Sequence, residues 1–359
     1  MKAIAKEYAL FISLISLVLF TYYEHTLIHS SLGNIFGFLV LFGVIIYASV
    51  SVAHHAELLA EKFGEPYGTL ILTMSAVTVE VMIIAIMMIQ SHNPTLARDT
   101  IYSAIMLDIN GLLGVAAIIG GIKFGEQPYN VDSSNSYLSM LLVAIGVSMV
   151  VPHLIDQAHH DQFMWFVVVV FILLYLVFTK IQLKNHRYFF EYQGSEPLQT
   201  QEETHQHQGE INGWYHAILL LVYIVIIGFL SEILSIFMNN NLTELGLPLA
   251  LGAVGVALIS ASPELIVAIR AALDNRMQTV INIALGASLA TVLLTVPAVI
   301  IISNLAGLDI HLAITPTQGL LMGLTLLVSI VNFNDGETNM LEGFLHFILF
   351  ILFAFLLFL

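Results

Sequence analysis

The sequence predicts an all-α polytopic membrane protein of about eleven transmembrane helices, one N-terminal helix followed by two inverted five-helix repeats. Three observations carry this. The 359 residues are 58% hydrophobic and only 10% charged, against about 25% charge in a soluble domain. Apolar segments of spanning length recur along the whole chain, mostly joined by short connections. Two glutamates, Glu80 and Glu264, lie inside such segments, each in the second segment of its set of five.

Taken in order, the segments centre on residues 8–23, 33–58, 67–90, 97–121, 137–152, 163–183, 213–237, 247–269, 277–303, 316–332 and 341–359. The first follows Lys2 and Lys6 as a signal peptide would, but Tyr22-Tyr23-Glu24-His25 follows it where a small-residue cleavage site would stand. It is therefore read as an uncleaved anchor helix within residues 1–31. Residues 32–183 form the first five-helix repeat and 213–359 the second. Between them, 184–212 is a polar linker carrying Glu202, Glu203, His205, His207 and Glu210, read as a connector or as a cation-sensing segment. An odd number of spans per repeat turns the two halves in opposite directions, the plan of secondary transporters with sites near the midplane. With the N-terminus in the cytoplasm, nine of the ten lysines and arginines fall inside and only Arg98 outside. The C-terminus is then extracytoplasmic, in a multi-pass protein of the cell membrane.

Composition also excludes. The net charge of −15 and the scattered basic residues give no stripe for tracking phosphates, so no nucleic-acid partner is expected. The chain has no cysteine, hence no disulfide framework or thiol chemistry. It offers no paired catalytic histidines, nucleophile motif or phosphate loop, which leaves an intramembrane enzyme as a remote reading. No cofactor is expected.

The chemistry begins with Glu80. A carboxylate inside a spanning helix costs roughly 2.5–3.5 kcal/mol and by default is functional, facing the bundle interior. Thr73, Ala76 and Glu80 share a helix face, and Ser75, Ala76 and Thr78 allow close approach of a neighbour. The plainer reading is a protonated acid gluing two helices. Glu264 follows Pro263, which removes one amide bond and releases the carbonyl of Ile259. Ser260 lies on the acid's face and Ser262 close by. The plainer reading here is a proline kink. The segment after each acid supplies neutral oxygens: Ser103 and Asn110 in the first half, Asn282 and the stripe Ser288, Thr291 and Thr295 in the second. Such stripes are as often mere helix packing. Asp108 lies about 200° round the helix from Asn110, lining another part of the cavity or pairing elsewhere. His54, His55 and Glu57, near the inner end of the second segment, and His153 and Asp156, near the outer end of the fifth, are candidates for the pathway or gate, with a solvated rim as the plainer reading.

Two carboxylates with amide and hydroxyl oxygens suit a hard divalent cation; calcium takes about 6–8 oxygen ligands. Without thiols or a histidine cluster at this depth, a zinc-type site is disfavoured. Two carboxylates neutralise one divalent ion and repel each other when it leaves, so the pair carries either a cation or protons.

The order of motifs resembles the bacterial calcium/proton antiporters of the cation/proton exchanger family, in the calcium/cation antiporter superfamily. The resemblance rests on Gly64-Glu-Pro-Tyr-Gly-Thr-Leu-Ile-Leu-Thr leading to Val79-Glu80, on Leu96-Ala-Arg-Asp-Thr, and on Asn282-Ile-Ala-Leu-Gly-Ala-Ser-Leu-Ala leading to Thr295-Val-Pro-Ala. It covers the chain from about residue 30 onward. The family places Gly-Asn-Ala-x-Glu around each acid, whereas this chain reads Ala76-Val-Thr-Val-Glu80 and Ser260-Ala-Ser-Pro-Glu264. The acids carry over and the neighbouring asparagines do not. Gly286-Ala-Ser288 is similar to the family's Gly-Ser-Ser, and the first copy keeps Asn110 without the serine before it. The resemblance implies Ca²⁺ efflux exchanged for protons, with Ca²⁺ as transported substrate. A sodium/calcium exchanger and a K⁺ or Na⁺/proton antiporter stay open as alternatives, and so does a homo-oligomer.

Overall fold

The computed structural model describes residues 7–63, 67–182, 187–191 and 212–358. The described residues are almost wholly helical and form eleven rods. The first seven helices are α1 (Tyr8–Ile28), α2 (Ser31–Phe63), α3 (Tyr67–Ser91), α4 (Leu96–Met106), α5 (Leu113–Phe124), α6 (Val131–Ile145) and α7 (His160–Lys180). After the linker come α8 (Gly213–Glu244), α9 (Ala250–Leu273), α10 (Met277–Ala290), α11 (Val296–Ala306), α12 (Pro316–Asn332) and α13 (Met340–Leu356). Among the described residues nine rods are long and apolar enough to cross a membrane, and α12 and α13 are shorter apolar helices. Each of the eleven segments expected from hydropathy has its helix. Of the linker, 184–186 and 192–211, with Glu202, Glu203, His205, His207 and Glu210, lie outside the described residues.

The apolar surface is what a lipid-embedded bundle requires. On α7, Phe166, Val169, Leu173 and Leu176 are exposed along one stripe, the lipid-facing side of a helix whose other face packs on α11. Local chemistry sets the ends. Asn130, Asn212 and Asn339 accept backbone N–H groups at the starts of α6, α8 and α13. Thr315 and Gln318 form a reciprocal capping box ahead of Pro316 at the start of α12.

Two rods are interrupted in the same way. α4 and α5 are one rod joined by a π-helical turn, Leu107–Leu112, and α10 and α11 are joined by another, Thr291–Thr295. The two turns start 184 positions apart, the same separation as Glu80 and Glu264. The halves thus match at these two turns, whereas a further π-helical turn, Gly146–Val150 at the end of α6, has no counterpart among the described residues of the second half; π-helical turns mark functional positions.

A short antiparallel pair joins the halves on one face. β1 (Glu126–Pro128) follows α5 and pairs with β2 (Glu337–Asn339), which leads into α13. Next to it α5 and α13 touch backbone to backbone: a Cβ on Gly343 would stand 2.8 Å from the Gly114 carbonyl, so only glycine permits this crossing. The same face holds the ends of α2, α7 and α9 and therefore Lys62, Lys123, Lys180, Arg270 and Arg276. Lys123 Nζ donates to the Leu273 carbonyl (2.7 Å) and Gln127 Nε2 to the Ala272 carbonyl (3.0 Å). On the opposite face, Arg98 donates to the Ala313 carbonyl (3.2 Å) and His311 N to the Pro94 carbonyl (2.8 Å).

Candidate functional site

A cavity of about 510 Å³ runs from the middle of the bundle to the lysine-rich face, between α3 and α10. Glu80, Asp108 and Glu264 all line it. Glu80 is only 4% exposed. It accepts Thr295 Oγ1 at 2.8 Å and Thr291 Oγ1 at 3.0 Å, both hydroxyls carried on the second π-helical turn. Asp108, on the first π-helical turn, is 3% exposed and accepts Ser288 Oγ at 3.1 Å. Each of these acids from the first half is thus held by hydroxyls from the second.

Glu264 differs. Its Oε2 is buried and, among the described residues, hydrogen-bonded to nothing. Helix α9 continues unbroken through Pro263. The Ile259 carbonyl that proline releases accepts Ser262 Oγ at 2.8 Å, so the freed backbone oxygen is already engaged. Among the described residues no three His, Cys, Asp or Glu side chains are arranged to hold a metal ion. The three carboxylates share a cavity, not a coordination shell.

Several other sequence candidates fall here. Thr73, Ser260, Asn282 and Glu57 line the cavity. Asn282 is engaged: its Nδ2 donates to the Phe190 carbonyl (2.9 Å) and its Oδ1 accepts Gln278 Nε2 (3.0 Å). Ser288 enters through Asp108.

Others do not. Asn110 faces away, donating to Thr325 Oγ1 (2.8 Å) and meeting His346 Nδ1 (3.0 Å) between α12 and α13. The cavity face of this rod is Ala104 and Asp108, one helical turn apart; the angle between Asp108 and Asn110 was legible, but not which of them turns inward. Thr78 is exposed and bonded to the Met74 carbonyl (2.6 Å), because two residues from Glu80 is the far side of the helix. Ser262 serves backbone, as above. His54 is exposed and His55 is buried against α8, away from the cavity. His153 and Asp156 are exposed on the opposite face, where His153 Nε2 lies 2.6 Å from the Ile314 carbonyl.

The mouth was not legible. The short helical turn Arg187–Phe190 sits there, tied to α10 through Asn282 and to the start of α6 through Asn130, whose Nδ2 donates to the Tyr188 carbonyl (2.8 Å). The aromatic rings of Tyr137, Phe178 and Phe190 pack together in the cavity wall.

Comparison with known proteins agrees with this architecture. The family model described as sodium/calcium exchanger protein matches residues 33–184 and 215–359. The chain is 32% identical to the sodium-potassium/proton antiporter ChaA of Escherichia coli (strain K12) over 308 residues, covering 85% of this chain and 84% of that one. It is 24% identical to the Ca²⁺/H⁺ antiporter ChaA of Bacillus subtilis (strain 168) over 313 residues, 85% and 88% of the two chains. The crystal structure of the Ca²⁺/H⁺ antiporter protein YfkE superposes with a TM-score of 0.77 at 18% identity, over 98% of this chain and 99% of that one, and so shares its fold.

Proposed function

The chain belongs to the sodium/calcium exchanger protein family, and on that premise we propose that it is a calcium/proton antiporter, exporting Ca²⁺ from the cytoplasm in exchange for protons by alternating access. The observation that carries this reading is the single cavity that Glu80, Asp108 and Glu264 line together, with hydroxyl oxygens at hand. Oxygen-only donors with excess negative charge suit a hard cation. Without a cation, like charges in a low-dielectric cavity repel, and protons take its place. Cation and protons thus alternate on the same oxygens, which is antiport. Glu264, with a free buried oxygen, receives the cation; Glu80, already cradled by two threonines, holds it. Closing α3 onto α10 draws the carboxylates into one coordination shell and seals the mouth. The lysine-rich face is cytoplasmic by the positive-inside rule, so the cavity faces inward.

One observation favours a second reading, monovalent cation/proton exchange: the Escherichia coli relative is named for sodium and potassium, and three carboxylates exceed what one divalent ion neutralises. The deciding experiment is proton-gradient-driven uptake in proteoliposomes, with Ca²⁺, Na⁺ and K⁺ compared. Gradient-driven Ca²⁺ uptake that needs neither Na⁺ nor K⁺ is expected. Uptake of Na⁺ or K⁺ with none of Ca²⁺ would replace it with the monovalent reading.

A further inference from the structure

We propose that Glu7, His55 and His216 form a proton-sensitive clasp that ties α1 and α8 to α2, the helix whose Ser49, Val52 and Glu57 line the cavity. None of the three clasp residues lines the cavity, and the clasp joins three helices near the lysine-rich face. His55 Nδ1 and His216 Nδ1 are 3.0 Å apart. On its other side, His55 Nε2 stands 3.3 Å from Glu7 Oε2, a charge contact rather than an aligned hydrogen bond. Glu7 also accepts Tyr215 OH at 2.9 Å and Tyr223 OH at 3.3 Å. His55 itself is 2% exposed, so water does not compete freely for these bonds.

The geometry counts protons. A bond between two Nδ1 atoms requires one hydrogen between them, one ring donating and the other accepting. Two neutral imidazoles satisfy it as opposite tautomers. One added proton also satisfies it: His55 becomes a cation between the carboxylate of Glu7 and a bare His216 Nδ1. A second proton puts two N–H groups face to face, with like charge on both rings, and the bond cannot survive. The other charged and titratable groups reaching the pair are His54 and Lys62 on α2, Tyr215 and Tyr223 on α8, and Glu7 ahead of α1. Lys62 and, once protonated, His54 add positive charge, so the second proton opens the clasp rather than being absorbed.

Opening breaks the direct link between α2 and α8, while Glu7 keeps its bonds to Tyr215 and Tyr223 on α8. Farther along α1, Phe20 packs edge to face on Phe237 of α8 (5.8 Å). α1 stands outside the two sets of five and stays on α8 as a brace. In neutral or alkaline conditions the histidine bond holds the end of α2 to α8, and acid on this face loosens it. The consequence for transport rests on the exchange proposed above; the clasp itself does not.

The test uses a chain with no native cysteine. Phe63→Cys at the end of α2 and Trp214→Cys on α8, at positions 55% and 80% exposed, carry spin labels whose separation is measured at about pH 8 and about pH 5, either side of the imidazole range. Acid is expected to lengthen the distance by about 5 Å, one helical turn. In His216→Gln the amide donates or accepts as needed, and the distance stays fixed; His55→Gln serves as a second background. An unchanged distance without these substitutions, or the same lengthening in both glutamine backgrounds, overturns the clasp. In proteoliposomes the same acid step on the lysine-rich face slows exchange in the wild type and not in His216→Gln; equal slowing in both counts against it.

Discussion

Repeat symmetry makes two helix crossings equivalent: α9 against α4, and α3 against α10. In the first, the Glu264 helix packs closely along α4 with Ala257 and Ile101 fully buried. In the second, the Glu80 helix stands off from α10 and the cavity fills the gap, lined by Thr73, Ala76, Thr279 and Gly286. One topology thus holds a sealed crossing and an open one. The difference teaches that the halves need not differ in fold for the molecule to face one way. On the exchange proposed above, alternating access would swap the two packings, with the acids at the pivot.

The carboxylates show the same asymmetry, and altering them gives the largest effect. Glu80→Gln or Glu264→Gln should abolish proton-driven cation uptake in proteoliposomes while leaving the protein folded by size-exclusion and circular dichroism. Near-wild-type uptake in either variant removes that acid from the exchange.

Next comes the contrast between the crossings. Single cysteines at Thr279 and Gly286 should react from the lysine-rich face with a water-soluble thiol reagent. Cysteines at Ala257 and Ile101 need local opening of about 3 kcal/mol or more and should label at least about 100-fold slower. Equal rates at all four positions would dissolve the distinction.

Thr295→Val tests how Glu80 is cradled. Losing a hydrogen bond to a charged group is worth about 1.5–3 kcal/mol, so half-saturation for the cation should shift by about tenfold or more. An unchanged value would mean that the 2.8 Å contact does not survive in the loaded state. The smallest functional effect is expected from Asn110→Ala. It unpairs buried partners on α12 and α13 and should cost about 1–3 kcal/mol of stability, read as earlier unfolding, with cation half-saturation unchanged.

These expectations reflect what sequence can and cannot carry. The eleven rods were legible because hydropathy over about twenty residues is a strong signal. Glu80 and Glu264 stood out because a carboxylate inside such a run is rarely idle. Facing was not legible. Periodicity gives the angle between Asp108 and Asn110, but only packing against α12 and α13 decides that Asn110 turns outward. The π-helical turns leave no mark on hydropathy, although they carry Asp108, Thr291 and Thr295 to the site. Ser262 has the right chemistry for a ligand but lies beside the carbonyl its neighbouring proline releases. The link between His55 on α2 and Glu7 ahead of α1 joins residues 48 positions apart, beyond any local pattern.

The central claim is that cation and protons compete for the same carboxylates. It is tested most directly by adding Ca²⁺ to purified protein in weakly buffered solution and measuring the protons released. Release is predicted from wild type and none from Glu264→Gln. Ca²⁺ binding without proton release in wild type, or equal release from both proteins, would contradict it.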